Sequence, residues 1–191
     1  FLLAARSPKA SDKSDELAQL QGFDLAMLAT DPQGTQTELY FVSPGHGLPT
    51  PVATFEHLRG AVVRGASLPH SRSILAIADT LPSREPSWSA SLVHLQAGQA
   101  PRELVDNVYH ATRPLVTPEG LVFVQRGRAG TDPEPDQNTL RIDDLAIDQV
   151  DPLTGSTQRV YSWFGYETHL AGSYQGELFI YRVGPQGADL I

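Results

Sequence analysis

Short runs of alternating apolar and polar residues, each closed by a turn rich in Gly, Pro or Asp, fill most of this chain. Alternation at period two places one face of a strand against a core and the other toward water. Asp24 to Thr35 (DLAMLATDPQGT) is such a run, and Asp144 to Ser156 (DLAIDQVDPLTGS) repeats it 120 residues later. Between them Ser91–Leu95, the turn Gln96–Gln99 and Arg102–Val105 form the same strand–turn–strand unit. A second element recurs out of phase with the first: Ala66–Ile77 (ASLPHSRSILAI), Pro114–Val124 (PLVTPEGLVFV) and Leu170–Tyr181 (LAGSYQGELFIY). Each is a short strand, a tight turn and a β-rich strand. No window sustains a 3.6-residue period; only residues 12–20 are compatible with a turn or two of helix.

The second strands of that element begin near 73, 121 and 177, a period of roughly 50 residues, the range of propeller blades. Joining the two elements predicts an all-β fold, a β-propeller of about three to four four-stranded antiparallel blades, over approximately 1–45, 60–107, 111–163 and 168–191. The first blade is read as strands B at 1–5, C at 23–30 and D at 36–42. The next is A 62–68, B 73–79, C 89–95 and D 102–107; the third is A 112–116, B 121–126, C 144–150 and D 157–162. The last has A 169–173, B 177–183 and C from 188. An open arc leaves sheet edges exposed, so the expectation is a larger ring completed by missing blades or by a second chain.

Composition narrows the function classes. Hydrophobic residues make up 40% and charged residues 19%, the balance of a globular chain. Sixteen Gly and fifteen Pro supply the punctuation that many short strands require. The net charge of −8, with no Lys/Arg cluster, argues against nucleic acid and against a membrane surface. The longest apolar runs are too short to span a bilayer, so no membrane insertion is expected. With no cysteine, disulfides, thiol catalysis and thiolate metal sites are absent together.

The Ser67–Pro69, Thr117–Gly120 and Ser173–Gly176 turns, each feeding a β-rich strand, resemble the TolB-like and WD40-like propeller repeats of bacterial periplasmic proteins. That resemblance implies a periplasmic or secreted interaction protein and no catalytic residue.

Blade topology sorts the connections into two ends. The turns 31–34, 69–72, 96–100, 118–120, 152–155 and 174–176 are tight, while 6–22, 43–61, 80–88, 127–143 and 163–168 are long. Long loops on a rigid scaffold are where binding residues collect, so the long-loop end is the expected binding face. Trp88, Tyr109, Trp163, Phe164 and Tyr166 lie in or beside these loops and suit a protein interface or a sugar platform, with packing between blades as the alternative, above all for Trp163 and Phe164. His57, His110 and His169 fall near the starts of innermost strands and read as hydrogen-bonding groups around a channel mouth, in preference to metal ligands. The acidic stretch 131–138 offers oxygen atoms but not the spacing of a calcium loop.

No nucleophile elbow, phosphate loop, paired-His zinc motif or dinucleotide fingerprint is present. The expectation is therefore a non-enzymatic, cofactor-free scaffold that binds a protein partner. The alternatives are the propeller domain of a larger prolyl-peptidase-like serine hydrolase, and a carbohydrate or small-ligand binder.

Overall fold

In a computed structural model the described residues are 2–4, 25–42, 51–57, 63–69, 71–78, 89–109, 112–127, 145–162, 167–184 and 186–191. They form strands and turns, with no helix among them. Three antiparallel groupings are built in chain order, of four, eight and three strands, and the eight-stranded one consists of two four-stranded meanders, sheets 2 and 3. Sheet 1 runs β1 (Leu2–Ala4), β2 (Leu25–Thr30), β3 (Gln36–Val42) and β4 (Pro51–Glu56). Sheet 2 runs β5 (Arg64–Ser67), β6 (Ser73–Ala78), β7 (Ser89–Gln96) and β8 (Arg102–Tyr109). Sheet 3 runs β9 (Leu115–Val116), β10 (Val122–Gly127), β11 (Leu145–Val150) and β12 (Thr157–Ser162). Among the described residues, the pairing of Val108 with Arg126 is the one that links sheets 2 and 3 edgewise. Sheet 4 runs β13 (Glu167–Tyr174), β14 (Glu177–Gly184) and β15 (Gly187–Leu190).

The four meanders stack through apolar faces, and the period-two pattern decides which residue faces which neighbour. Strand β6 is buried on both sides. Its Ile74, Ala76 and Ala78 join Ala26, Leu28, Leu39 and Phe55 in a core between sheets 1 and 2. Its Leu75 and Ile77 turn the other way, into a core with Leu92, Val105, Val122, Val124 and Val150 between sheets 2 and 3. Strand β10 repeats the device: Val122 and Val124 face sheet 2, whereas Phe123 packs with Ile147 and Ile180 between sheets 3 and 4. Burying a side chain such as Ile74 or Leu75 contributes about 2 kcal/mol, so these interlayer cores hold the stack together. The first strands of successive sheets, β1, β5, β9 and β13, lie against one another in chain order.

Two expectations need correction. The segment 43–61 contains a strand, β4, where a loop was expected. Pro51 occupies its first position, one of the places in a sheet where a missing N–H is tolerated, and the surrounding Pro and Gly disguise the run. Consequently β1 is the first strand of sheet 1 and not the second, which shifts that unit by one strand. The repeated Asp-Pro-x-Gly sequence caused the misphasing: Asp31–Gly34 joins the second and third strands of its sheet, whereas Asp151–Gly155 joins the third and fourth. The motif reports hairpin chemistry, and not position within the sheet.

The sorting of loops by length changes with it. The short 31–35 turn lies at the end from which 79–88 and 128–144 emerge, while connections 5–24 and 43–50 leave sheet 1 at the opposite end. In sheet 4, Gly184 of β14 pairs directly with Gly187 of β15. Long connections at one end are therefore a property of sheets 2 and 3. The helical reading of 12–20 and the acidic stretch 131–138 lie outside the described residues.

Candidate functional site

At the end of sheets 2 and 3 that carries 79–88 and 128–144, polar side chains penetrate the stack. Strand β8 bends there, with Asn107 in the left-handed region at φ 55° and a register shift against β7. The bend brings Val108 onto β10 opposite Arg126. Arg126 spans the two sheets: its Nε donates to the Asp106 carbonyl (2.9 Å) and its Nη2 to Asp106 Oδ1 (3.1 Å). Its Nη1 donates to Asp148 Oδ2 (3.1 Å), and the Arg159 Nε of β12 takes Asp148 Oδ1. Asp148 is 3% exposed, so its charge is sheltered from solvent and depends on both guanidiniums. The result is an alternating Asp106–Arg126–Asp148–Arg159 chain across four strands.

A buried amide ties sheet 4 to sheet 3. Gln125 is fully buried; its Nε2 donates to the Thr168 carbonyl (2.6 Å) and its Oε1 accepts from the Leu170 N–H (3.1 Å). One side-chain amide thereby does for β13 what a neighbouring strand would do, satisfying a donor and an acceptor that point away from β14. At sheet 1, His57 is buried after β4, where its Nε2 and the Thr37 hydroxyl share a hydrogen bond (2.8 Å) and its ring lies against Phe55. It follows the fourth strand of sheet 1 and is not at the start of a first strand, which corrects the expected placement.

Of the residues singled out from sequence, Tyr109 and His169 are described. Tyr109 closes β8, half-buried, and its carbonyl accepts the Thr112 hydroxyl (3.2 Å). His169 sits on β13 directly across from Tyr181. They lie on different sheets, on β8 and β13. Trp88, His110, Trp163, Phe164 and Tyr166 lie outside the described residues.

No family model, curated protein or solved structure matches this chain. Its chemistry is therefore read from its own residues. Among the described residues no three His, Cys, Asp or Glu side chains gather as a metal site, and no helix is long and apolar enough to cross a membrane. The arrangement at the sheet 2–sheet 3 end immobilises strand ends by paired charges and presents the two long connections from them. Sequence reading missed Gln125, Arg126 and Asp148. The available signal was a polar or charged residue at a strand position where alternation calls for an apolar one.

The opposite end of sheets 2 and 3 is clamped differently. Arg102 donates from Nη1 to the Leu153 carbonyl (2.6 Å) and from Nη2 to that of Pro152 (2.8 Å). Across the strand from Arg102 sits His94, whose Nε2 is buried without a hydrogen-bond partner in the structure. Burial, then the Arg102 charge, hold the His94 pKa below its ordinary value. A histidine whose pKa falls on folding stabilises the fold fully above its unfolded value of about 6.5 and loses that contribution as pH drops toward the folded one. Urea midpoints are therefore expected to fall between pH 7.5 and 5.0 more steeply in the parent than in His94→Gln. Parallel pH profiles for the two proteins would refute this.

Proposed function

We propose that the four meanders are blades of a β-propeller acting as a non-enzymatic scaffold. Its partner is a protein, held at the end of sheets 2 and 3 that carries 79–88 and 128–144, within an extracytoplasmic bacterial assembly. The observation that carries the architectural part is the succession of β1, β5, β9 and β13, each against the next, with three apolar interlayer cores outside them. Radial sheets meeting at their first strands give that pattern. The choice of face is supported by the Asp106–Arg126–Asp148–Arg159 chain, which fixes the strand ends from which the long connections depart. Loops mounted on a rigid base lose less conformational freedom on binding.

Affinity capture with the immobilised protein tests the reading. Replacing 131–138 with Gly/Ser, or Trp88 with Ala, should lower partner recovery at least ~10-fold, the size expected for interface hot spots. Leu153→Ser at the other end, 77% exposed, should leave recovery unchanged. Equal recovery across all three variants would move the binding face elsewhere.

A further inference from the structure

Sheets 2 and 3 are fastened at their two ends by different chemistry. At one end the Asp106–Arg126–Asp148 ion pairs and the Val108–Arg126 backbone pairing join the strands themselves. At the other, the 151–156 turn of sheet 3 rests on sheet 2 and is closed by its own bonds. The Asp151 N–H donates to the Ser156 carbonyl (2.9 Å) and the Gly155 N–H to the Asp151 carbonyl (2.8 Å). The Asp151 carboxylate accepts the Leu153 N–H and the Thr154 hydroxyl, both at 2.8 Å. Among the described residues, the hydrogen bonds that reach this turn from sheet 2 are the two from Arg102. The turn is thus a stiff tip held to its neighbour by one guanidinium.

His94 stands beside that guanidinium. It shares the sheet 3-facing side of β7 with Leu92, in register with Arg102 of β8. Three elements surround this position. Strand β6 offers Leu75, directly across and apolar, and β8 offers Arg102. The 151–156 turn brings Asp151, whose carboxylate is committed to its own turn and attracts Arg102. Arg72 and Glu103 belong to the other face: Arg72 lies over Phe41 of sheet 1, and Glu103 pairs with Val93 of the sheet 1–sheet 2 core. The His94 Nε2 is buried with no acceptor or donor on it. A proton added to the ring therefore meets burial first and a second cation next, and both hold its pKa below the ordinary value.

We propose that His94 and Arg102 form an acid-sensitive latch: protonating His94 drives Arg102 off the Pro152 and Leu153 carbonyls, and the 151–156 tip undocks from sheet 2 while the opposite end stays joined. The change at the switch is one charge, and the element it biases is the docked or undocked turn. Undocking gives the imidazolium water and distance from Arg102, so the undocked form binds the proton more tightly and gains population as protons are taken up. Docking is therefore complete above the ordinary histidine range and is lost as pH falls below it. The surface uncovered is the Leu104 main chain against which Gly155 packs. The latch rests on this one contact and on no choice of partner or binding face.

The chain has no cysteine, so Gln99→Cys combined with Leu153→Cys, both at exposed turn positions, carries a pair of spin labels on the whole 191-residue protein. Neither change touches the Arg102 bonds, which end on main-chain carbonyls. Double electron–electron resonance should give one distance at pH 7.5 and a second, longer one at pH 5.0. The ratio of long to short should rise about tenfold or more, the effect of one pKa unit between the two forms. Adding His94→Gln should leave the ratio independent of pH. Adding Arg102→Ala should bring out the longer distance already at pH 7.5, and its absence there would overturn the proposal. An unchanged ratio in the labelled parent would do the same, as would an equal rise with His94→Gln, since acid would then act through other groups. Loss of the circular-dichroism β signal across this range would also overturn it, because the chain would be unfolding as a whole.

Discussion

Replacing Gly155 with Ala is expected to lower stability by about 3 kcal/mol, combining the left-handed penalty of a non-glycine residue with overpacking against main chain. Gly155 closes the β11–β12 turn at φ 78°. A Cβ built there would stand 2.6 Å from the Leu104 carbonyl oxygen of β8, a backbone atom that cannot rotate away. The same turn is held by Arg102 on the Pro152 and Leu153 carbonyls, so displacement would strip that clamp as well. Gly98 is the matched control: it occupies the corresponding β7–β8 turn at φ 74°, with nothing within 4 Å of an added Cβ. Gly98→Ala should therefore cost only the left-handed backbone part, about 1 kcal/mol. Urea titrations of the two variants and the parent separate the terms. Equal losses would mean that sheets 2 and 3 do not approach as closely at this end as the structure places them.

Sheets 2 and 3 are legible because each strand pair is bounded by a turn of distinctive chemistry and because SILAIA and VFVQ leave no doubt about burial. Strand ends in these two sheets agree to within two residues except at β9, which begins at Leu115 where 112 was expected. Sheet 1 was misphased because an Asp side chain that caps its own turn serves any hairpin. Asp31 Oδ1 accepts the Thr35 and Gln36 N–H groups, whereas Asp151 Oδ1 accepts that of Leu153, and each carboxyl is lowered below its ordinary pKa, first by the backbone bond to Gln36 and Leu153 respectively. Nothing in such a turn records whether two or three strands precede it. For the polar links between sheets the sequence marked an out-of-pattern polar residue but not its partner. A strand such as VFVQRG reads as apolar with a polar end, and only tertiary packing places Gln125 on the side of β13 and Arg126 on the side of β8. Gln125 and Arg126, adjacent in sequence, therefore fasten sheet 3 to its two different neighbours, as period-two alternation requires.

Gln125→Leu should be the most damaging substitution between sheets 3 and 4, by about 2–4 kcal/mol. Leucine fills much of the space, yet removes the bond that Gln125 donates to the Thr168 carbonyl and the one it accepts from the Leu170 N–H, at about 1–3 kcal/mol each before apolar burial offsets part. Gln125→Glu distinguishes this account from simple loss of packing. An ionised glutamate can accept from the Leu170 N–H but has no hydrogen to give the Thr168 carbonyl, now 2.6 Å from an anion in place of a donor. A protonated glutamate restores the donor. Its folded pKa would be raised above the unfolded value, so the stability held below the unfolded pKa is lost as pH rises through the folded one. The gap between Gln125→Glu and the parent should accordingly narrow from pH 8 to pH 5, while Gln125→Leu stays equally destabilised across that range. Hydrogen exchange should place the loss in β13 and β14, because those strands dock through this amide and the small Phe123–Ile147–Ile180 core. If the Glu variant's deficit were independent of pH, the amide would not be bonding the β13 backbone, and sheet 4 would be held by apolar contact alone.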